Sequence, residues 1–189
     1  LGFSFEELNS IDSHKVEDIV REVIKVVSQH EKSANRKIPV IAAGGVFDGK
    51  DIAKMLKLGA SGVQIASRFV CTYECDAASE YKQAFLNAKK EDILIIKSPV
   101  GMPGRVIIND FVRRIQKGEK FNFTCPYHCL RTCDPEKVNY CIVDALINAS
   151  KGNFDKGFAM CGSNTYRINR IVSVKELIGE LVKGCLDAL

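Results

Sequence analysis

Apolar residues recur at Val16, Ile19, Val20, Val23, Ile24 and Val27, spaced i, i+3, i+4, i+7. That period predicts an amphipathic helix over residues 12–29 with one buried stripe, capped by Asp12 or Ser13. A polar loop, 30–37, leads into the short apolar run Ile38-Pro-Val-Ile-Ala-Ala-Gly-Gly-Val46. The run reads as a strand buried on both faces, with Pro39 at its entrance, where a missing ladder N–H does least harm. A helix over 48–58 follows, ended by Gly59, and Val63 to Ala66 is a second strand. Helix, strand, helix and strand therefore alternate, which predicts an α/β fold with a parallel sheet or barrel.

Further along, residues 76–90 read as a helix and 93–96 as a short strand. The stretch 98–105 holds two prolines and two glycines and reads as a loop, with a helix over 106–116 after it. Beyond Phe121 the character changes. Cysteines become frequent, 141–150 forms a short apolar helix, and 162–167 is a polar turn. Ser173-Val-Lys-Glu176 is a capping box for a last helix with Leu177, Ile178, Leu181 and Val182 inward. On this basis residues 1–118 are expected to form a parallel-sheet or barrel portion, and 119–189 a cysteine-rich helical segment packed on it.

The chain has 189 residues, 46% of them hydrophobic and 26% charged, the composition of an ordinary globular protein. A net charge of +4, spread along the chain, gives no case for nucleic-acid or membrane binding. No run approaches the roughly 18 apolar residues that span a bilayer, and no signal peptide opens the sequence. A cytoplasmic location is expected. Eight cysteines without a secretory signal read as reduced thiols or ligands rather than a disulfide framework.

Candidate chemistry centres on the carboxyl ends of the first two strands. Gly44 and Gly45 let a backbone approach a ligand closely, and their amides suit an anion. Ala66 and Ser67 end the next strand, and in barrels the last two strand ends commonly hold a phosphate. The alternative is a pair of tight βα turns without a ligand. Arg68 is expected to be an outward salt-bridge partner.

Ile38 to Val46, Asp48-Gly49 and Leu58-Gly-Ala-Ser-Gly-Val-Gln-Ile-Ala-Ser-Arg-Phe69 resemble the nitronate monooxygenase family, once called 2-nitropropane dioxygenases. The likeness extends to Met102-Pro-Gly-Arg105 and to Gly162-Ser-Asn-Thr-Tyr-Arg167. Flavin-dependent enoyl-acyl-carrier-protein reductases share these motifs. The resemblance implies a (β/α)₈ TIM barrel, FMN as cofactor, and oxidation of alkyl nitronates or nitroalkanes with O₂. It implies FMN-phosphate contacts at Gly44, Gly45, Ala66 and Ser67, with Gln64 facing the flavin. The family more often carries Gly-Thr where this chain has Ala66-Ser67. An enoyl reductase using NAD(P)H is the alternative within the fold.

In the family an Ala-Gly-Gly-His motif supplies the catalytic base just before a segment like Leu1-Gly2-Phe3. This chain opens on that segment without a methionine, so it is expected to be the carboxyl-terminal part of a longer protein. No catalytic residue is assigned. His14 and His30 read as solvated polar residues, and His128 lies among cysteines. Alone, the chain is expected to turn over little, to bind flavin weakly and to self-associate through open strand edges, so a homo-oligomer is compatible.

Cys125, Cys129, Cys133 and Cys141 form a second constellation. On a helix the four-residue spacing would align three sulfurs, and converging thiolates bind zinc or an iron–sulfur cluster. The spacing fits neither zinc ribbons nor ferredoxins, and Pro126 opposes a regular helix. The expectation is therefore no metal, with partly buried thiols packing as small hydrophobes; a metal-binding module or inactive fragment is the reading of another class. Cys71 and Cys75 read as packing residues.

Overall fold

The computed structural model describes residues 15–126, 128, 129, 131 and 133–189. It divides into two compact units, one of residues 15–75 with Arg170–Leu189, the other Asp76–Asn169. The units part after Cys75 and after Asn169 because the chain's last helix returns to the first unit. The boundary at 118/119 expected from the cysteine content falls inside the second unit.

In the first unit, α1 (Val16–Ala34) leads to β1 (Ile41–Ala43), α2 (Gly49–Lys57), β2 (Gly62–Gln64) and the short α3 (Ser67–Val70). The predicted caps Asp12 and Ser13 lie outside the described residues. Asn35 ends α1 in the left-handed region, φ +48°. β1 and β2 pair in parallel, with Ile41 opposite Gly62, Ala42 opposite Val63 and Ala43 opposite Gln64. Ser61 extends the pairing by donating its N–H to the Val40 carbonyl at 2.7 Å. This is the βαβ crossover read from the sequence.

β1 is not buried on both faces. Ala42 is 2% exposed, while Ile41 and Ala43 are exposed. Helix packing covers one face only: Ala42 joins Val20, Val46, Met55 and Ala60 in a core flanked by Val16, Ile24, Ile52 and Val63. Ile41, Ala43 and Gln64 stand exposed.

A last helix, which returns to this unit from the far end of the chain, packs on α2 backbone to backbone. A Cβ at Gly49 would lie 2.3 Å from the Cys185 nitrogen and the Gly184 carbonyl carbon. Only glycine allows that approach. This helix (Val174–Leu186) begins at Ser173, whose hydroxyl accepts the Glu176 N–H at 3.1 Å. The Val174 N–H donates to the Glu74 carboxylate at 2.9 Å and 3.0 Å. Leu177 and Leu181 are buried as expected, but Ile178 and Val182 are about half exposed, so the inward stripe is narrower than predicted.

The second unit holds α4 (Ser79–Asn87), β3 (Ile93–Lys97), β4 (Pro103–Ile107), α5 (Asp110–Gln116) and α6 (Ile142–Ser150); the last helix is accordingly α7. Here the predicted loop over 98–105 is corrected. β3 and β4 form an antiparallel hairpin, Ile93 opposite Ile107 and Lys97 opposite Pro103. Gly101, at φ +84°, makes the turn, and Pro103 occupies the first strand position, where the missing N–H costs least. The predicted helix over 106–116 starts only at Asp110, capped by Asn109, whose side chain accepts the Val112 N–H at 2.8 Å. Tyr140 meets Phe111 and Phe158 edge-on, and Phe111 and Phe158 stack, around Val106 and Val112. No described helix is long and apolar enough to cross a membrane.

These contacts predict opposite outcomes for two glycines. Gly49→Ala should cost ~3 kcal/mol, the upper end of overpacking, because backbone atoms cannot yield. Gly179→Ala, on the exposed face of α7 with open space around it, should gain about 0.5–1 kcal/mol. Thermal unfolding of both variants checks this; equal Tm values for the two would contradict the packing.

Candidate functional site

The β1 strand ends at Ala43, and the next two residues turn the chain with φ +96° at Gly44 and +74° at Gly45. Both lie in the region that L side chains rarely enter. A Cβ on Gly44 would meet nothing within 4 Å, so backbone conformation, not crowding, demands glycine there. The same open space leaves room for a group seated directly against the backbone. Both glycines are exposed.

Parallel pairing sets Ala43 beside Gln64, so the turn after β1 and the turn after β2 lie next to each other. Gln64 is exposed on the same face as Ala43. Ala66 has φ −124° and ψ −58°, a negative φ that accepts a methyl group without the strain found at Gly44. Alanine in place of the family's usual glycine is therefore tolerated. Ser67 begins α3 and is half-buried. The structure thus brings Gly44, Gly45, Ala66 and Ser67 into two adjoining turns, with Gln64 beside them, and these residues fit a phosphate-bearing cofactor.

Neighbouring charges are already committed. Asp48 and Asp51 form a capping box on α2: the Asp51 N–H donates to Asp48 at 3.0 Å and the Asp48 N–H to Asp51 at 3.3 Å, while the Phe47 N–H also donates to Asp51 at 2.9 Å. The attraction of that helix end for an anion is therefore spent on its own carboxylates. Arg68 is a salt-bridge partner as expected, but its side chain is only 16% exposed. Its guanidinium donates to the Phe47 carbonyl at 3.2 Å and to Glu180 at 3.0 Å, and lies 4.7 Å over the Phe47 ring. The sequence held no local signal for Glu180, 112 positions away.

His14 lies outside the described residues; His30 and His128 are exposed. Cysteines 125, 129 and 133 lie outside any helix, and His128 has φ +42°. Cys129 is exposed and Cys125, Cys133 and Cys141 are half-buried. Among the described residues, no group of three or more His, Cys, Asp or Glu side chains is arranged to hold a metal ion. The Cys133 thiol is pushed up, first by burial and then by the neighbouring Cys129, Cys125 and Cys141 sulfurs. Cys71 packs in the interior as expected, at 1% exposure.

Comparison with known proteins places the chain. The nitronate monooxygenase family profile matches residues 6–184, so the chain belongs to that family. A Staphylococcus saprophyticus protein described as a probable nitronate monooxygenase is 31% identical over 152 residues, which cover 77% of this chain and 38% of that protein. The structure of FabK from Thermotoga maritima superposes with a TM-score of 0.68 at 29% identity, covering 92% of this chain and 49% of that one. Nitroalkane oxidase from Streptomyces ansochromogenes superposes with a TM-score of 0.67 at 21% identity, covering 92% and 44%, a likeness of fold. The chain thus spans less than half the length of each.

Thiol labelling tests the cysteine environments. Burial pushes the Cys161 thiol up to about 11, so it stays protonated at pH 8 and should alkylate far more slowly than exposed Cys129. Its rate should climb only as pH approaches that value. Peptide mapping after timed iodoacetamide treatment reads the order; Cys161 labelled first would contradict it.

Proposed function

We propose that the turns after β1 and β2 are the FMN-phosphate end of a (β/α)₈ barrel, and that the protein oxidises alkyl nitronates with O₂. The observation that carries this reading is Gly44, a positive-φ backbone position beside open space at the end of a parallel strand. Two further supports are the adjoining Ala66-Ser67 turn and the family membership. Amides of the two turns and the Ser67 hydroxyl would hold the phosphate, which needs donors rather than a bulky cation. Gln64, exposed on the strand face, offers its amide to the ring system.

Bound FMN would supply the electron acceptor that couples nitronate oxidation to reduction of O₂. The residues of this chain bind and orient it. No described histidine is given a part in proton transfer, and a preformed nitronate, already ionised at carbon, needs none. The exposed face of β1 and β2 supplies small and polar groups, Ala43 and Gln64, against which a flat ring system can lie.

Gly44→Ala should weaken FMN binding about tenfold, since the substituted turn escapes strain by leaving φ +96° when free and must recover roughly 1–2 kcal/mol of it to bind. Flavin fluorescence titration measures it; unchanged affinity would remove Gly44 from the site. The reaction is tested, in a protein spanning the full length of its relatives, by oxygen uptake with an alkyl nitronate against NAD(P)H oxidation with an enoyl thioester. Nitronate-dependent uptake is expected. Enoyl-dependent NAD(P)H oxidation without it would overturn the reading in favour of the reductase.

A further inference from the structure

Arg68 follows the Ser67 turn directly, yet its guanidinium points neither to solvent nor to an open charge site. One arm donates to the carbonyl of Phe47, three residues after Gly44, at 3.2 Å. The other donates to Glu180 on α7 at 3.0 Å, and the plane lies over the Phe47 ring. Glu180 is itself held on its other oxygen by Arg170, which also reaches Glu176 at 3.0 Å. A single side chain thus ties the β1 turn to the β2 turn, and a carboxylate from the far end of the chain fixes it in place.

We propose that Arg68 is a positioning residue that sets the spacing between the two phosphate-binding turns, with its charge taken up by Glu180 and not by the phosphate. The inference rests on the phosphate reading above. Its physical basis is the planar fork: a guanidinium satisfies a carbonyl and a carboxylate in fixed relative directions, whereas an ammonium is a compact point charge without that fork. With side-chain exposures of 16% for Arg68 and 35% for Glu180, the pair is screened by salt less than a surface pair. α7 therefore contributes to cofactor binding without supplying a contact to it. Removing the fork frees the two turns to drift apart, and the phosphate meets one set of amides at a time.

The test measures FMN and riboflavin affinities by fluorescence quenching, at low and high salt, for the wild-type protein and for Arg68→Met, Arg68→Lys and Glu180→Gln. Riboflavin lacks the phosphate and reports on everything except the cradle. The expected result is a loss of FMN affinity of about tenfold or more in Arg68→Met, with riboflavin affinity unchanged and the ratio to wild type independent of salt. Arg68→Lys, keeping the charge but not the fork, should recover only part of the loss. Glu180→Gln should weaken FMN binding. Tighter FMN binding by Glu180→Gln, or an Arg68→Met deficit that fades with added salt, would make Arg68 a direct phosphate ligand and overturn the inference. Equal FMN affinity in wild type, Arg68→Met and Arg68→Lys would overturn it as well. A wild-type protein that binds FMN no better than riboflavin would instead overturn the phosphate reading, and this inference with it. Arg68→Lys and Glu180→Gln keep the comparison decisive if Arg68→Met does not fold.

Discussion

Two consecutive positive φ angles, at Gly44 and Gly45, set what the end of β1 can be. A side chain at Gly44 would cost about 1–2 kcal/mol in strain, although nothing nearby would collide with it. The chain thus keeps a backbone conformation whose local packing does not require glycine. Turns of this kind present amides instead of side chains, and amides placed at a strand end suit an anion. The exposed turn at the end of β1 follows from that constraint, and the turn after β2 lies beside it.

The carboxylate that Arg68 meets comes from a distant part of the chain. Gly49 lets α7 approach α2 until backbone meets backbone, which brings Glu180 to Arg68 and Glu74 to the first turn of α7. Leu177 and Leu181 fill the interior beneath, against Ile52, Ile65 and Phe69. In this unit, stability and the site share the same contacts. A change at the α2–α7 crossing should therefore be felt at the two turns, through Arg68 and Glu180, which lie 112 positions apart in sequence.

The βαβ unit was legible in the sequence because its signals are local: a short apolar run, a glycine pair, an amphipathic stretch and a terminating Gly59. The Asn109-capped helix, the hairpin before it and the width of the α7 stripe were harder. Pro103 and Gly101 signal a loop by composition, yet they occupy the two hairpin positions that suit them, the strand's first residue and the turn. Ile178 and Val182 share the helical period of Leu177 and Leu181, but the covered arc of α7 stops short of them. Strand-end position and family resemblance singled out Gly44, Gly45, Ala66 and Ser67, and the structure places them in two adjoining turns. The commitments of Asp48, Asp51 and Arg68 were not legible in the sequence, since their partners are set by tertiary packing or by cap geometry.

In the proposed function the amides of the two turns receive a phosphate. Amide chemical shifts of the ¹⁵N-labelled protein, followed through an FMN titration, report on it most directly. The largest movements are expected at Gly44, Gly45 and Ser67, with FMN and not with riboflavin. Shifts concentrated elsewhere, with the Gly44 and Gly45 amides unmoved at saturating FMN, would contradict it.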